Sequence, residues 1–163
     1  MNKVMIVCAS NGKNLELGTK ISDFLKERKF SVELIDLTEM DLPLYSNVSA
    51  KKGVPESVKQ MVANLKSTST VFFLAPEYNG GIPPVLTNFI AWASASSKDW
   101  RESFNSKTAV IGTHSGSGGL HALMSLRVQL AYIGMNVLGR QLHTHYKKDL
   151  NLEALESIAE SIS

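Results

Sequence analysis

Apolar positions along the chain come in two alternating kinds. Short continuous runs, KVMIVCA at 3–9, TVFFLA at 70–75 and KTAVIGT at 107–113, have the character of strands buried on both faces. Between them apolar residues recur at helical spacing. Leu17, Ile21, Phe24 and Leu25 do so in 15–29, Val58, Met61, Val62 and Leu65 in the segment that follows Pro55, and Val85, Leu86, Phe89 and Ile90 further on. SVELIDL at 31–37 alternates in the manner of a strand, whereas 38–54 holds a proline, Asn, Ser and four charges. GGLHALMSLRVQLAYIGM at 118–135 predicts a long helix, Asn136 to Arg140 a weak strand, and 151–162 a last helix.

The order βαβαβαβαβα predicts an α/β fold: a three-layer sandwich in which a five-stranded parallel sheet carries helices on both faces. No repeat, low-complexity tract or linker interrupts residues 1–163, so one domain is expected. Right-handed crossovers then favour the flavodoxin-like strand order 2-1-3-4-5. In such a sheet a ligand sits beyond the carboxyl ends of the strands, where the order reverses between the first and the third. Topology alone therefore selects the loops after Cys8, Leu74 and Ile111.

Each of the three loops is rich in glycine, hydroxyl or amide. ASNGKN at 9–14 leads into a helix, whose first N–H groups and positive dipole end suit an anion such as a phosphate monoester. Ser10, Lys13 and Asn14 add donors, although an ordinary N-cap turn would account for the same residues. The loop is neither GxxxxGK[ST] nor GxGxxG, which argues against a P-loop nucleotidase and a Rossmann dinucleotide site. In APEYNGGIPP at 75–84, Pro76 ends the strand, and Gly80 and Gly81 let main chain approach a ligand. Tyr78 and Asn79 place a ring and an amide edge beside it, which suits a planar ligand. THSGSGG at 113–119 offers serines and glycines whose N–H groups can meet carbonyl oxygens of a ring, or simply form a flexible turn. The coincidence of three such loops at one crevice favours a flat cofactor with a phosphate tail.

Composition narrows the partners. The 163 residues are 44% hydrophobic and 20% charged, an ordinary globular mixture, and the formal net charge is +2. That balance carries no basic stripe for nucleic acid or an anionic membrane. The start of the chain, MNKVMIVCASNG, has too short an apolar run for a signal-peptide core or a spanning helix, and a cytoplasmic protein is expected. The one cysteine, Cys8, excludes an intrachain disulfide and fits a small apolar strand position. His143 and His145 lie two apart with no carboxylate or cysteine pattern, so no metal site is expected.

PEYNGGIPPVLTNFIAWAS resembles the signature of the NAD(P)H-dependent FMN reductases, flavodoxin-like enzymes that include quinone, azo and chromate reductases. The matching positions are Pro76, Glu77, Tyr78, Asn79, Pro83, Leu86, Asn88 and Trp92, with the later glycine loop and Leu126-Arg127 in keeping. The resemblance implies FMN as cofactor, NADPH or NADH as co-substrate, and a small-molecule acceptor. It also implies a homodimer or homotetramer with the ring near a subunit boundary, and no catalytic acid or base. It would place the phosphate on Ser10, Gly12, Lys13, Asn14 and Leu15. Pro76, Glu77, Tyr78, Asn79 and Gly80 would meet the isoalloxazine and ribityl chain, and His114, Ser115, Gly116 and Ser117 the pyrimidine edge. Gly12 stands about where the family has an arginine, and no second serine follows. Gly81, Thr87 and Ala91 replace a common serine, lysine and aspartate. Glu77 has further readings as a subunit contact or a helix cap, His114 as a structural hydrogen-bonding group, and Trp92, off the core stripe, as a subunit-interface residue. A non-enzymatic FMN carrier, or a flavodoxin-like scaffold with weak cofactor affinity, remains the alternative.

Overall fold

The structure, a computed structural model, describes residues 2–116 and 118–163. Its strands are β1 (Lys3–Cys8), β2 (Ser31–Asp36), β3 (Thr70–Leu74), β4 (Thr108–His114), β5 (Asn136–Val137) and β6 (Leu142–Thr144). Its helices are α1 (Lys13–Glu27), a single turn α2 (Asn47–Ala50), α3 (Glu56–Lys66), α4 (Pro84–Ser94), α5 (Leu120–Tyr132) and α6 (Leu152–Ser161). All pairings are parallel in the order β2-β1-β3-β4-β5, and β6 also pairs with β4.

Successive residues of the central strands feed opposite cores, as the two-residue period of a strand requires. Met5 and Val7 of β1, Val71 and Phe73 of β3, and Ala109 and Ile111 of β4 face α3, α4 and α5, which contribute Leu65, Phe89 and Leu126 among others. Val4, Ile6, Cys8, Phe72, Leu74 and Val110 face α1 and α6, where Leu17, Ile21, Leu25, Leu155 and Ile158 close the second core. Each Val, Leu, Ile, Phe or Met among them, fully buried, contributes roughly 1.5–3 kcal/mol. The continuous apolar runs in the sequence are the trace of this two-sided burial. Gly18 brings α1 tight against the sheet: a Cβ there would lie 2.6 Å from the Cys8 Sγ.

The fifth strand differs from expectation. It is two short pieces on the same side of β4: β5 pairs with Thr108 and Ala109, β6 with Gly112, Thr113 and His114. Residues 138–141 between them leave the ladder, and Arg127 of α5 takes up the freed groups. Its guanidinium donates to the carbonyls of Leu138 (2.7 Å), Val137 (3.4 Å) and Gly139 (3.3 Å), and to Gln141 Oε1 (3.2 Å). The carboxyl end of this strand position is therefore Thr144, not Arg140.

Trp92 also departs from expectation. It is 1% exposed, packs edge-on against Tyr45 with ring centroids 5.1 Å apart, and donates from Nε1 to the Pro43 carbonyl at 2.7 Å. Asn88, one turn earlier, accepts from the Tyr45 N–H at 2.8 Å and donates to the Leu42 and Pro43 carbonyls. The two residues strap the 42–45 segment onto α4 within one chain, so Trp92 is unavailable to a subunit interface.

Arg127→Ala strands several half-buried carbonyls at once. With charged hydrogen bonds worth about 1.5–3 kcal/mol, the expected loss is roughly 2 kcal/mol. At about 2–4 °C per kcal/mol for a chain of this size, the thermal midpoint should fall by roughly 4–8 °C. An unchanged midpoint in a thermal melt would show that water satisfies the break equally well.

Candidate functional site

The carboxyl ends of β1, β3 and β4 open into a cleft of about 340 Å³ lined by residues of all three selected loops. Ser10, Gly12, Lys13 and Asn14 come from the first loop, Pro76, Glu77 and Tyr78 from the second, and His114, Ser115 and Gly116 from the third. Asn11 and Tyr146 complete the lining. Leu15, Asn79 and Gly80 do not reach it, and Ser117 lies outside the described residues. Leu15 instead packs against the core beneath α1.

Gly12 is the N-cap of α1, and an added Cβ would meet nothing within 4 Å, so the cleft is open there. The N–H groups of Leu15 and Glu16 turn back to the Gly12 carbonyl at 2.9 and 3.1 Å, leaving those of Lys13 and Asn14 as the open donors of the helix start. Lys13 Nζ sits 2.8 Å from Glu16 on the exposed helix surface. That bond holds the lysine above and the glutamate below its ordinary pKa. The Asn14 side chain is 2% exposed and faces another loop. Its Oδ1 accepts from the His114 N–H at 2.8 Å, and its Nδ2 donates to the His114 carbonyl at 3.0 Å. Asn14 can thus offer a ligand its main-chain N–H, while its amide locks the first loop to the third.

In the second loop, Asn79 and Gly80 both have positive φ, 51° and 74°. Tyr78 and Gly81 exchange N–H···O bonds of 3.0 and 2.9 Å across them. This is the tight two-residue turn that an Asn-Gly pair favours, because both central residues must be left-handed. The turn explains Asn79 and Gly80 without a ligand, and it presents Tyr78, 52% exposed, at the cleft wall. Glu77 takes up its reading as a helix cap. Its Oε2 accepts from the N–H groups of His121 and Ala122 at 3.0 and 3.2 Å, in the first turn of α5. The N-cap residue there is Gly119, which has no side chain to do this.

His114 is fixed from both sides. Thr144 Oγ1 donates to the Thr113 carbonyl at 3.0 Å and lies 3.1 Å from His114 Nδ1. A hydroxyl has one proton, so Nδ1 must carry the hydrogen of the second bond. The neutral ring then has Nε2 as an acceptor, and that atom is buried with no hydrogen-bond partner among the described residues. An unpaired buried acceptor in a ligand cleft awaits a donor. Tyr146 stands edge-on to the His114 ring at 5.6 Å and is 82% exposed. Its position follows from the split fifth strand: the loop after β6, not the one after Arg140, reaches the crevice.

Cys8 is a buried free thiol beneath this site, pushed up to about 12 by burial and then by Asp36. It is no nucleophile at neutral pH. Among the described residues no group of three or more His, Cys, Asp or Glu is placed to hold a metal, and no helix is long and apolar enough to cross a membrane.

A protein-family model described as NADPH-dependent FMN reductase matches residues 2–149. An uncharacterized protein of Mycoplasma pneumoniae is 28% identical over 148 residues, which cover 88% of each chain. A 2-hydroxy-1,4-benzoquinone reductase of a Burkholderia species is 32% identical over 123 residues, which cover 74% of this chain and 63% of that one. Among solved structures, the flavoenzyme NAD(P)H:(acceptor) oxidoreductase FerB from Paracoccus denitrificans superimposes with a TM-score of 0.80. The superposition covers 99% of this chain and 95% of FerB at 21% identity, and so speaks for the flavodoxin-like fold. By the match over nearly its whole length, the chain belongs to the NADPH-dependent FMN reductase family.

Proposed function

We propose that the protein is an FMN-dependent NAD(P)H oxidoreductase, that residues 1–163 act as one domain, and that its acceptor is a small molecule of the quinone or free-flavin kind. The observation that carries the placement of the cofactor is His114 Nε2, an orphaned buried acceptor in a cleft built by three strand-end loops. The pyrimidine edge of a flavin offers a ring N–H of the complementary sense. At the other end the N–H groups of Lys13 and Asn14, the Ser10 hydroxyl and the helix dipole suit the phosphate. Tyr78 and Gly116 flank the position left for the ring. Bound FMN would accept hydride from a reduced nicotinamide and pass electrons on. The chain's own work is to hold and orient the ring and to control which acceptor reaches it. The quinone acceptor is supported by the named substrate of the Burkholderia relative.

The reading includes a homodimer. Leu120, Met124, Val128 and Tyr132, spaced four apart on α5, are 55%, 68%, 70% and 77% exposed. Met124, Val128 and Tyr132, with Ile82, Thr87, Ser125 and Gln129, border a groove that no charged residue lines. An isologous contact there sets no like charges against each other. Ile82 follows directly on the Tyr78–Gly81 turn, so a second copy seated on α5 would approach the ring.

Purified protein should be yellow, or become so with added FMN. NADPH or NADH should bleach the band near ~450 nm, and a quinone should restore it. His114→Leu should weaken FMN by on the order of tenfold, the cost of one buried hydrogen bond, while Asn79→Asp, which keeps a left-handed former in the turn, should change it little. Absence of FMN binding at micromolar protein would refute the proposal, and binding without bleaching would leave an electron carrier.

Light scattering after gel filtration should give a dimer for the wild type and a monomer for Met124→Glu/Val128→Glu. A monomeric wild type would remove the dimer.

A further inference from the structure

A second, narrower cleft of about 230 Å³ lies beside the first, between α1 and residues 145–150. Lys13, His114 and Tyr146 line both clefts, so Tyr146 stands as the partition between them. The wall on α1 carries Lys13, Glu16 and Lys20, and the opposite wall carries His145, Lys148 and Asp149. Lys13 and Lys20 are seven residues apart, about two helical turns, and so share one face.

The charges in this cleft do not cancel pairwise. Glu16 is taken by Lys13 at 2.8 Å. Lys20 and Lys148, both exposed, have no carboxylate within ion-pair distance among the described residues. They line the cleft from two different segments of the chain. Lys148 is held in place by a closed turn, in which His145 and Lys148 exchange N–H···O bonds of 3.0 and 2.9 Å. The local potential is felt by the neighbours. His143, behind the turn, is held below its ordinary pKa by burial first and then by Lys148 and His145. Glu16 is lowered chiefly by Lys13, with Lys20 and His114 acting in the same direction.

A volume of about 230 Å³ is below the ~300–1,000 Å³ of a pocket for a whole small molecule, and suits a phosphate-bearing fragment of a longer ligand. Against the carboxylates of Glu16 and Asp149, the ammonium groups of Lys13, Lys20 and Lys148 leave the cleft with an excess of positive charge, which suits a phosphate monoester. The partition at Tyr146 lets such a ligand extend into the first cleft. Two phosphate monoesters are in question at this protein: the one on FMN and the 2′-phosphate that distinguishes NADPH from NADH. The first already has the start of α1, in the neighbouring cleft. We propose that the second cleft is the 2′-phosphate subsite of NADPH, with Lys20 and Lys148 as its specificity-determining residues. The proposal rests on the reductase reading above.

The probe is adenosine 2′,5′-bisphosphate, titrated calorimetrically into FMN-loaded protein. It should bind the wild type and Lys20→Arg/Lys148→Arg, and lose about tenfold or more with Lys20→Ala/Lys148→Ala, as expected when two charge-assisted contacts are removed. In the bleaching assay the same Ala variant should raise the NADPH concentration for half-maximal rate about tenfold, the signature of lost ground-state binding. The NADH requirement should change much less, and FMN affinity less than about twofold. No binding of the bisphosphate to the wild type, or equal binding to the Ala variant, would overturn the assignment. Loss of FMN affinity with bisphosphate binding intact would give the cleft to the flavin phosphate, and also overturn it. A wild type that binds the bisphosphate but is bleached by neither nicotinamide would instead sink the reductase reading, so the two failures are separable.

Discussion

The crevice depends on a side chain that imitates a strand. Asn14 reaches across one hundred positions of sequence to bond both the N–H and the C=O of His114, at 2.8 and 3.0 Å. A side-chain amide has one acceptor and two donors, so it can close such a two-point ring as a neighbouring peptide would. The bond is 2% exposed, where water cannot compete for either partner, and breaking it would leave buried polar groups unmet. Everything at the ligand end follows from it. It fixes the start of α1 against the third loop. It holds the main chain of His114, while Thr144 holds the ring, so Nε2 is presented with both its position and its protonation set. Gly18, four residues along the same helix, lets α1 lie close enough to β1 for Asn14 to reach.

A second layer of support comes from groups that bond away from the ligand. Glu77 ties the second loop to the first turn of α5, a helix whose own N-cap is a glycine. Arg127, two turns further along α5, holds the break in the fifth strand. Asn88 and Trp92 bind the 42–45 segment to α4. Of the residues that carry the family resemblance, several are thus structural. They tie the walls of the crevice together, and the groups left facing the cleft are largely main chain, hydroxyls and one histidine. Rigidity of this kind lowers the ordering cost of binding a flat ring.

The strand order, the two-sided burial and the three loops at one crevice were legible in the sequence, because each depends on patterns of a few residues. Runs such as TVFFLA declare burial on both faces without help from elsewhere. The roles of polar residues within those loops were less legible. The side chain of Asn14 looks like a phosphate donor, and nothing local to ASNGKN announces the partner at position 114 that takes up its amide. Asn79 and Gly80 look like ligand contacts, although an Asn-Gly pair is also the commonest signal of a tight turn. Trp92 lies off the stripe of its own helix because its partners, Tyr45 and Pro43, cover a different side. Tyr146 carries no local signal, because the weak strand pattern ends at Arg140. The pairing of Leu142 to Thr144 with β4 shows that the ladder resumes and carries its end, and the loop beyond it, to the crevice.

That displaced end has a chemical consequence. Had the fifth strand ended at Arg140, the α1 side of the crevice would face open solvent, and the helix start would be its only phosphate-binding feature. With the ladder resumed, residues 145–150 line a second compartment with α1, in which ammonium groups outnumber carboxylates. A small carrier that docks to basic partners has need of an acidic rim. A reductase has need of two adjoining positions, one for the resident ring and one for the anionic end of a substrate that must leave after each turnover. Exposed ammonium groups suit the latter, since contacts screened by solvent bind a phosphate without trapping it. The division of the crevice at Tyr146, one side lined by main-chain donors and a buried acceptor, the other by exposed lysines, matches that difference in residence time.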